Sequence, residues 1–247
     1  MILTIIIYSL FTDVHKPLTQ IRLSLAPSLG AGQISFLAGM HAMENPTICI
    51  TAAVVTQYFL MAAFCWMLVE GIYFYLFIVK VYNISNRLIV YQVVAWGFPV
   101  IMVSTSLSIA IGKGGIQSNT SNKSCWLSST YDLIWIFVAF LTAIGVLGSF
   151  ILVRVTRELT TLSQTGANKV QRVRLGIRTC VLMIPLLGIT WLFGLLSPLH
   201  KAFTYISSIL NSTQGVLIFI LHCVRNSQIR ERLGDRIKTV TIGQIGA

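Results

Sequence analysis

A single acid, Glu70, stands inside "FCWMLVEGIYFYLFIVKVY" (64–82), a run that is otherwise apolar and aromatic apart from its closing residues. An ionisable side chain in the core of a bilayer costs about 2.5–3.5 kcal/mol on insertion scales, so it binds an ion, relays a proton or holds helices together. Trp66, Glu70 and Tyr73 follow at i, i+4 and i+7, which puts them on one helix face, expected to point at the interior of a bundle. Proton relays and ion-coupled transport use chains of such groups, and here they are nearly absent. Asp132, Arg22, Arg154 and Arg178 all fall near the ends of apolar stretches, where a long side chain reaches water. A carboxylate that binds neighbouring helices and only holds the bundle fits as well as a functional one. Catalysis has less support: no H-E-x-x-H, no paired intramembrane aspartates and no facing Ser/His dyad occur, and no metal or cofactor is expected.

The background to Glu70 is a chain of 247 residues that is 55% hydrophobic and 10% charged, with mean hydropathy +0.79. Soluble proteins carry about a quarter of their residues as charges, so this composition belongs to a membrane protein. Apolar spans are expected at 18–40, 47–79, 87–111, 131–155, 176–198 and 202–223, each near or above the roughly 20 residues that cross a bilayer as helix. A seventh stretch, "MILTIIIYSLF", opens the chain, and its 11 residues cover only about 16 Å, half a hydrocarbon core. The expectation is an all-α bundle of seven transmembrane helices with the first cut short. No basic segment precedes that stretch and no small-residue cleavage site follows it, so it does not read as a signal peptide.

Charge sets the orientation. With the N-terminus outside, 15 of the 18 Lys and Arg fall on inner segments, leaving Lys113, Lys123 and Lys201 outside. The net charge of +11 then reports topology and attraction to anionic lipid at the inner membrane surface, not nucleic-acid binding. The outer loop holding "SNTSNKSCW" carries glycosylation acceptors at Asn119 and Asn122. Of five cysteines, Cys49 and Cys125 alone sit at the outer boundary, where oxidation persists, and they are expected to be bridged. Cys65 and Cys180 read as packing residues, and Cys223, at an inner helix end, is open to palmitoylation. The acceptor patterns at Asn83 and Asn211 fall inside and within a span, and are expected to be silent.

Counted from Cys49, Glu70 lies 21 residues along, or about 32 Å, which moves it from the midplane into the inner leaflet. Pro99 in "AWGFP", and Pro185 with Gly188 in "IPLLGITWLFG", interrupt two spans where a missing N–H permits a kink. Beyond 223, "RNSQIRERLGDRIK" spaces Ile229, Leu233 and Ile237 four apart among arginines, as a helix lying on the inner surface would; a solvated tail is the other reading. The domain plan is thus a bundle over 1–223, an amphipathic helix over 224–238 and a tail over 239–247.

Several motifs together resemble the adhesion G-protein-coupled receptors, with the secretin-type hormone receptors as nearest relatives. They are "FCWMLVEG", "AWGFP", "CWL" with Cys125 and Trp126, "GITWLFGLL" and "NSTQGVLIFILHC". The resemblance implies a plasma-membrane receptor, N-terminus outside, that passes the signal of a tethered or external peptide agonist to a heterotrimeric G protein. It implies agonist-facing or switch roles for Trp126 and Trp191; helix-face reasoning, not the motifs, adds Tyr58 and Phe59 as residues expected to line the outer cavity. It places Glu70 in an inner polar lock, Gln214 and Gly215 in the matching kink or polar element of the last span, and a hinge for the sixth helix at Pro185 and Gly188; Arg22 and Tyr73 are expected to join that lock at positions where this sequence differs from the family. Without the resemblance, Trp191 would read as an ordinary core residue.

The match has departures. Arg22 and Ser24 stand where many adhesion receptors have His and Asn, and Tyr73 stands where they have His, closer to the secretin type. An Arg22–Glu70 contact across two helices is therefore expected to replace neutral polar contacts. Alternatives from other classes are a secretin-type hormone receptor, a channel or transporter with a polar pathway, and an inactive product lacking part of its first helix.

Overall fold

The structure, a computed structural model, describes residues 16–41, 45–78, 88–114, 120–121, 124–127 and 133–162, together with single positions at 6, 193, 202, 203, 205, 206, 209, 210, 213, 216 and 220. Four long helices make up most of this: α1 (Pro17–His41), α2 (Pro46–Ile78), α3 (Leu88–Gly114) and α4 (Leu133–Leu162). Between α3 and α4 lies an antiparallel hairpin of β1 (Thr120–Ser121) and β2 (Ser124–Leu127). The stretch 1–11, the spans at 176–198 and 202–223, and the helix expected over 224–238 lie, apart from the single positions, outside the described residues.

Local sequence explains how two of the helices begin. α1 and α2 each carry proline at their first residue, where the missing N–H costs nothing and φ is preset. Before α2, Asn45 caps the helix: its Oδ1 accepts from the Thr47 and Ile48 amides at 3.2 and 3.5 Å, and its carbonyl accepts from the Cys49 amide at 3.0 Å. α3 runs to the glycines of "GKGG", which favour termination. α4 continues seven residues past the expected end at 155. Composition marks where an apolar layer stops, whereas Thr156, Arg157 and Glu158 still form helix in water.

α2 is the central helix. Of its apolar window 56% is buried, against 17% in α3 and in α4, so the latter two offer broad faces to lipid. Those three helices are long and apolar enough to cross a membrane. α1 is more polar, and its buried Ser28 is satisfied within the helix: the hydroxyl donates to the carbonyl of Ser24 at 2.5 Å and lies 3.1 Å from that of Leu25. It lies along α2 through Ile21, Leu25 and Leu29, spaced four apart, which join Leu60, Ala63 and Met67 in the core. At Gly32 a small residue faces α2, and a Cβ there would meet side-chain atoms of Leu60 and Phe59 at 3.5 and 3.6 Å, an ordinary packing distance. In lipid, where apolar side chains gain little by leaving the solvent, such close packing of small residues supplies much of the attraction between helices. Pro27 lies within α1, a breaker additional to Pro99 in α3.

Candidate functional site

Two ends of α2 carry polar chemistry. At its start Cys49 is buried and disulfide-bonded, and α2 packs against both strands of the hairpin, whose β2 holds Cys125 and Trp126. Only the backbone of those two is described. The acceptors Asn119 and Asn122 flank β1 in sequence and lie outside the described residues. Cys65, in the middle of α2, is a buried free thiol, as a packing residue should be.

Toward the other end, Arg22 on α1 and Glu70 on α2 meet. The Arg22 Nε donates to Glu70 Oε1 at 2.8 Å, with 11% and 4% of the respective side chains exposed. Tyr73 lies one turn on from Glu70, and its ring stacks on Phe77 at 6.0 Å. The expected contact is thus present in a dry setting. The face carrying Trp66 and Glu70 is turned inward, and it meets two helices: Glu70 pairs with α1, whereas Trp66 packs edge-on to Trp96 of α3 at 6.0 Å. It therefore lies in the groove between two neighbouring helices.

Tyr58 also faces α3. Its ring lies 6.3 Å from Trp96, and its hydroxyl donates to the Trp96 carbonyl at 3.4 Å, in the turn that Pro99 disrupts. That contact ties α2 to α3 and places Tyr58 in the bundle wall, while Phe59 lies beside Gly32 of α1. Trp191, Pro185, Gly188, Gln214 and Gly215 lie outside the described residues. Two positions after Trp191 in the sequence, Phe193 stacks on Phe203 at 6.0 Å.

Sequence reasoning missed Gln57. It is 0% exposed, and among the described residues neither its Nε2 nor its Oε1 has a partner. Thr56 and Ser106 also bury unpartnered hydroxyls, but a hydroxyl can rotate onto the carbonyl four residues back, as Thr51 and Thr105 do. A carboxamide has no such local remedy, and leaving each half unpaired costs about 1–3 kcal/mol. Gln57 lies eight residues from Cys49, about 12 Å down the helix from the disulfide. The signal was a lone amide in "AAVVTQYFL", invisible to an inventory of charges. Gln57→Leu should raise the melting temperature of the ligand-free protein by several degrees. If the amide meets a ligand, the same change should weaken the agonist response at least about tenfold; a more stable protein with unchanged potency would make Gln57 purely structural.

Among the described residues no group of three His, Cys, Asp or Glu side chains could hold a metal ion. A family model described as "7 transmembrane receptor (Secretin family)" matches residues 1–218. The chain belongs to this secretin family of seven-transmembrane receptors. The receptor is 30% identical over 243 residues to Adhesion G-protein coupled receptor D1 of Homo sapiens, covering 96% of this chain and 27% of that protein. It is 33% identical over 240 residues to Adhesion G protein-coupled receptor E5 of Bos taurus, covering 94% and 32%. Cadherin EGF LAG seven-pass G-type receptor 1 of Homo sapiens matches at 30% over 236 residues, 94% of this chain and 8% of that protein. The receptor thus spans a third or less of these relatives. Membership makes it a multi-pass membrane receptor rather than an enzyme, and it implies a bundle of seven helices, of which α1 to α4 are four.

Proposed function

We propose that this receptor carries the signal of a tethered or external peptide agonist, received in the outer half of the bundle, to a heterotrimeric G protein at the cytoplasmic face. The observation that carries the reading is the Arg22–Glu70 ion pair, buried at the end of α2 remote from the disulfide. In a resting bundle it joins α1 to α2, and with Tyr73 and Gln214 it forms an inner polar lock. Pro185 and Gly188 let the sixth helix swing outward when the lock opens, since a bistable bundle turns a small change at one end into a large one at the other. Trp126 and Trp191 face the agonist or switch with it, and Gln57 offers a desolvated amide to the peptide. Cys125 is the disulfide partner of Cys49, which with glycosylation at Asn119 and Asn122 puts the hairpin outside. The receptor then sits in the plasma membrane with its N-terminus extracellular and its basic segments toward anionic lipid.

Second-messenger output on expression, with and without an added agonist peptide, tests this. Trp191→Ala should abolish most of the agonist-dependent output at unchanged surface level. An unaffected response in a receptor shown to couple would remove Trp191 from the switch.

A further inference from the structure

Arg154 lies near the far end of α4, exposed, with its guanidinium carbon 5.2 Å from the centre of the Phe150 ring one turn earlier. Among the described residues it forms no ion pair. Its height on the helix is set by Trp135, 63% exposed near the opposite end. They lie 19 positions apart, about 29 Å along the helix, the thickness of a hydrocarbon core. Tryptophan favours one water interface and arginine the phosphates of the other. Between the two ends, Val146, Phe150 and Val153 are 64%, 59% and 50% exposed, an apolar stripe about 11 Å tall against the roughly 15 Å of hydrocarbon in one leaflet.

A merely snorkelling arginine samples many positions. Here the Phe150 ring supports one face of the guanidinium, so less freedom is lost when the N–H edge engages an anion. That edge matches two phosphate oxygens at once.

We propose that Arg154 and Phe150 form a seat for one anionic phospholipid of the inner leaflet. Its phosphate pairs with Arg154 while its chains lie along Phe150, Val153 and Val146. The leaflet assignment rests on the proposed orientation; binding itself does not. The net charge of +11 favours an anionic occupant over a zwitterionic one.

The test counts lipid retained by the purified full chain in neutral detergent, by native mass spectrometry, after adding phosphatidylserine or phosphatidylcholine at equal mole fraction. Phosphatidylserine should be retained preferentially, and Arg154→Ala should weaken that retention about thirtyfold, as loss of a bidentate charge-assisted pair implies. Lys16→Ala removes an equal charge just before α1 and should cost no more than about fivefold, the contribution of a basic residue acting through surface potential alone. Arg154→Lys keeps the charge without the fork and should fall between. Circular dichroism should show unchanged helix content, because the arginine is exposed. Free phosphoserine at millimolar concentration should not displace the lipid. Equal retention of the two lipids, a loss for Arg154→Ala no greater than for Lys16→Ala, or displacement by phosphoserine would each overturn the proposal.

Discussion

Arg22→Leu is expected to destabilise the receptor by about 3–5 kcal/mol, the cost of removing one partner from a buried ion pair. The Glu70 side chain is short, 4% exposed and eight residues from the end of α2, so its carboxylate cannot reach water. Glu70→Leu should cost less. Arg22 lies five residues from the start of α1, and its long stem can carry the guanidinium toward the interface once the carboxylate is gone. The double variant Arg22→Leu/Glu70→Leu should recover most of the loss, because two charges brought out of water repay little of their desolvation. Thermal unfolding of the purified protein measures all three. Basal second-messenger output then separates the two roles left open for Glu70. A lock predicts raised basal signalling in the double variant although stability has returned, whereas a simple brace predicts stability and signalling restored together. Exchanging the charges, Arg22→Glu with Glu70→Arg, should restore part of what either reversal alone destroys; no rescue at all would deny the contact a functional part.

That pair shows what the sequence makes legible. Glu70 stood out because ionisable residues are scarce in the spans, and Arg22 was the basic residue at a matching depth on the preceding helix. Both depend on residue type and on 1.5 Å per residue, which a sequence supplies. The direction of the Trp66 face was harder. Helical spacing says that Trp66, Glu70 and Tyr73 share a side, but the neighbour they meet is set by packing around Gly32 and Trp96. Gln57 escaped notice because an amide adds nothing to a charge count; its importance appears only when burial leaves both its ends unpaired. The hairpin between α3 and α4 was likewise hidden, since two very short strands leave no alternating pattern, and Asn122 with Lys123 gives only a weak turn signal. Helix ends followed polarity where a cap or glycine intervened, at Asn45 and Gly114. They failed where polar residues simply continued the helix, in α4.

Cys49→Ser should produce the second large effect, a fall of about 2 kcal/mol or more in stability together with reduced surface expression. If Cys125 is the partner, the bridge closes a loop of some 75 residues, for which chain entropy alone gives between about 4 and 5 kcal/mol. That figure assumes a disordered reference chain. Here α2 and α3 are apolar enough to stay helical in the bilayer when their packing is lost, so less entropy is at stake and the lower value is expected. On that pairing the larger consequence is local: the bridge would hold the hairpin against the start of α2, which it already packs on, and with it Trp126, the residue proposed to face the agonist. Cys125→Ser should therefore match Cys49→Ser, and the double variant should be no worse than either, because one bond can be lost only once. A reductant should lower the melting temperature of the unaltered receptor to that of the variants and leave theirs unchanged. Additive losses from the two substitutions would show that Cys49 pairs elsewhere, and would separate the hairpin from the outer end of α2 as a unit of function.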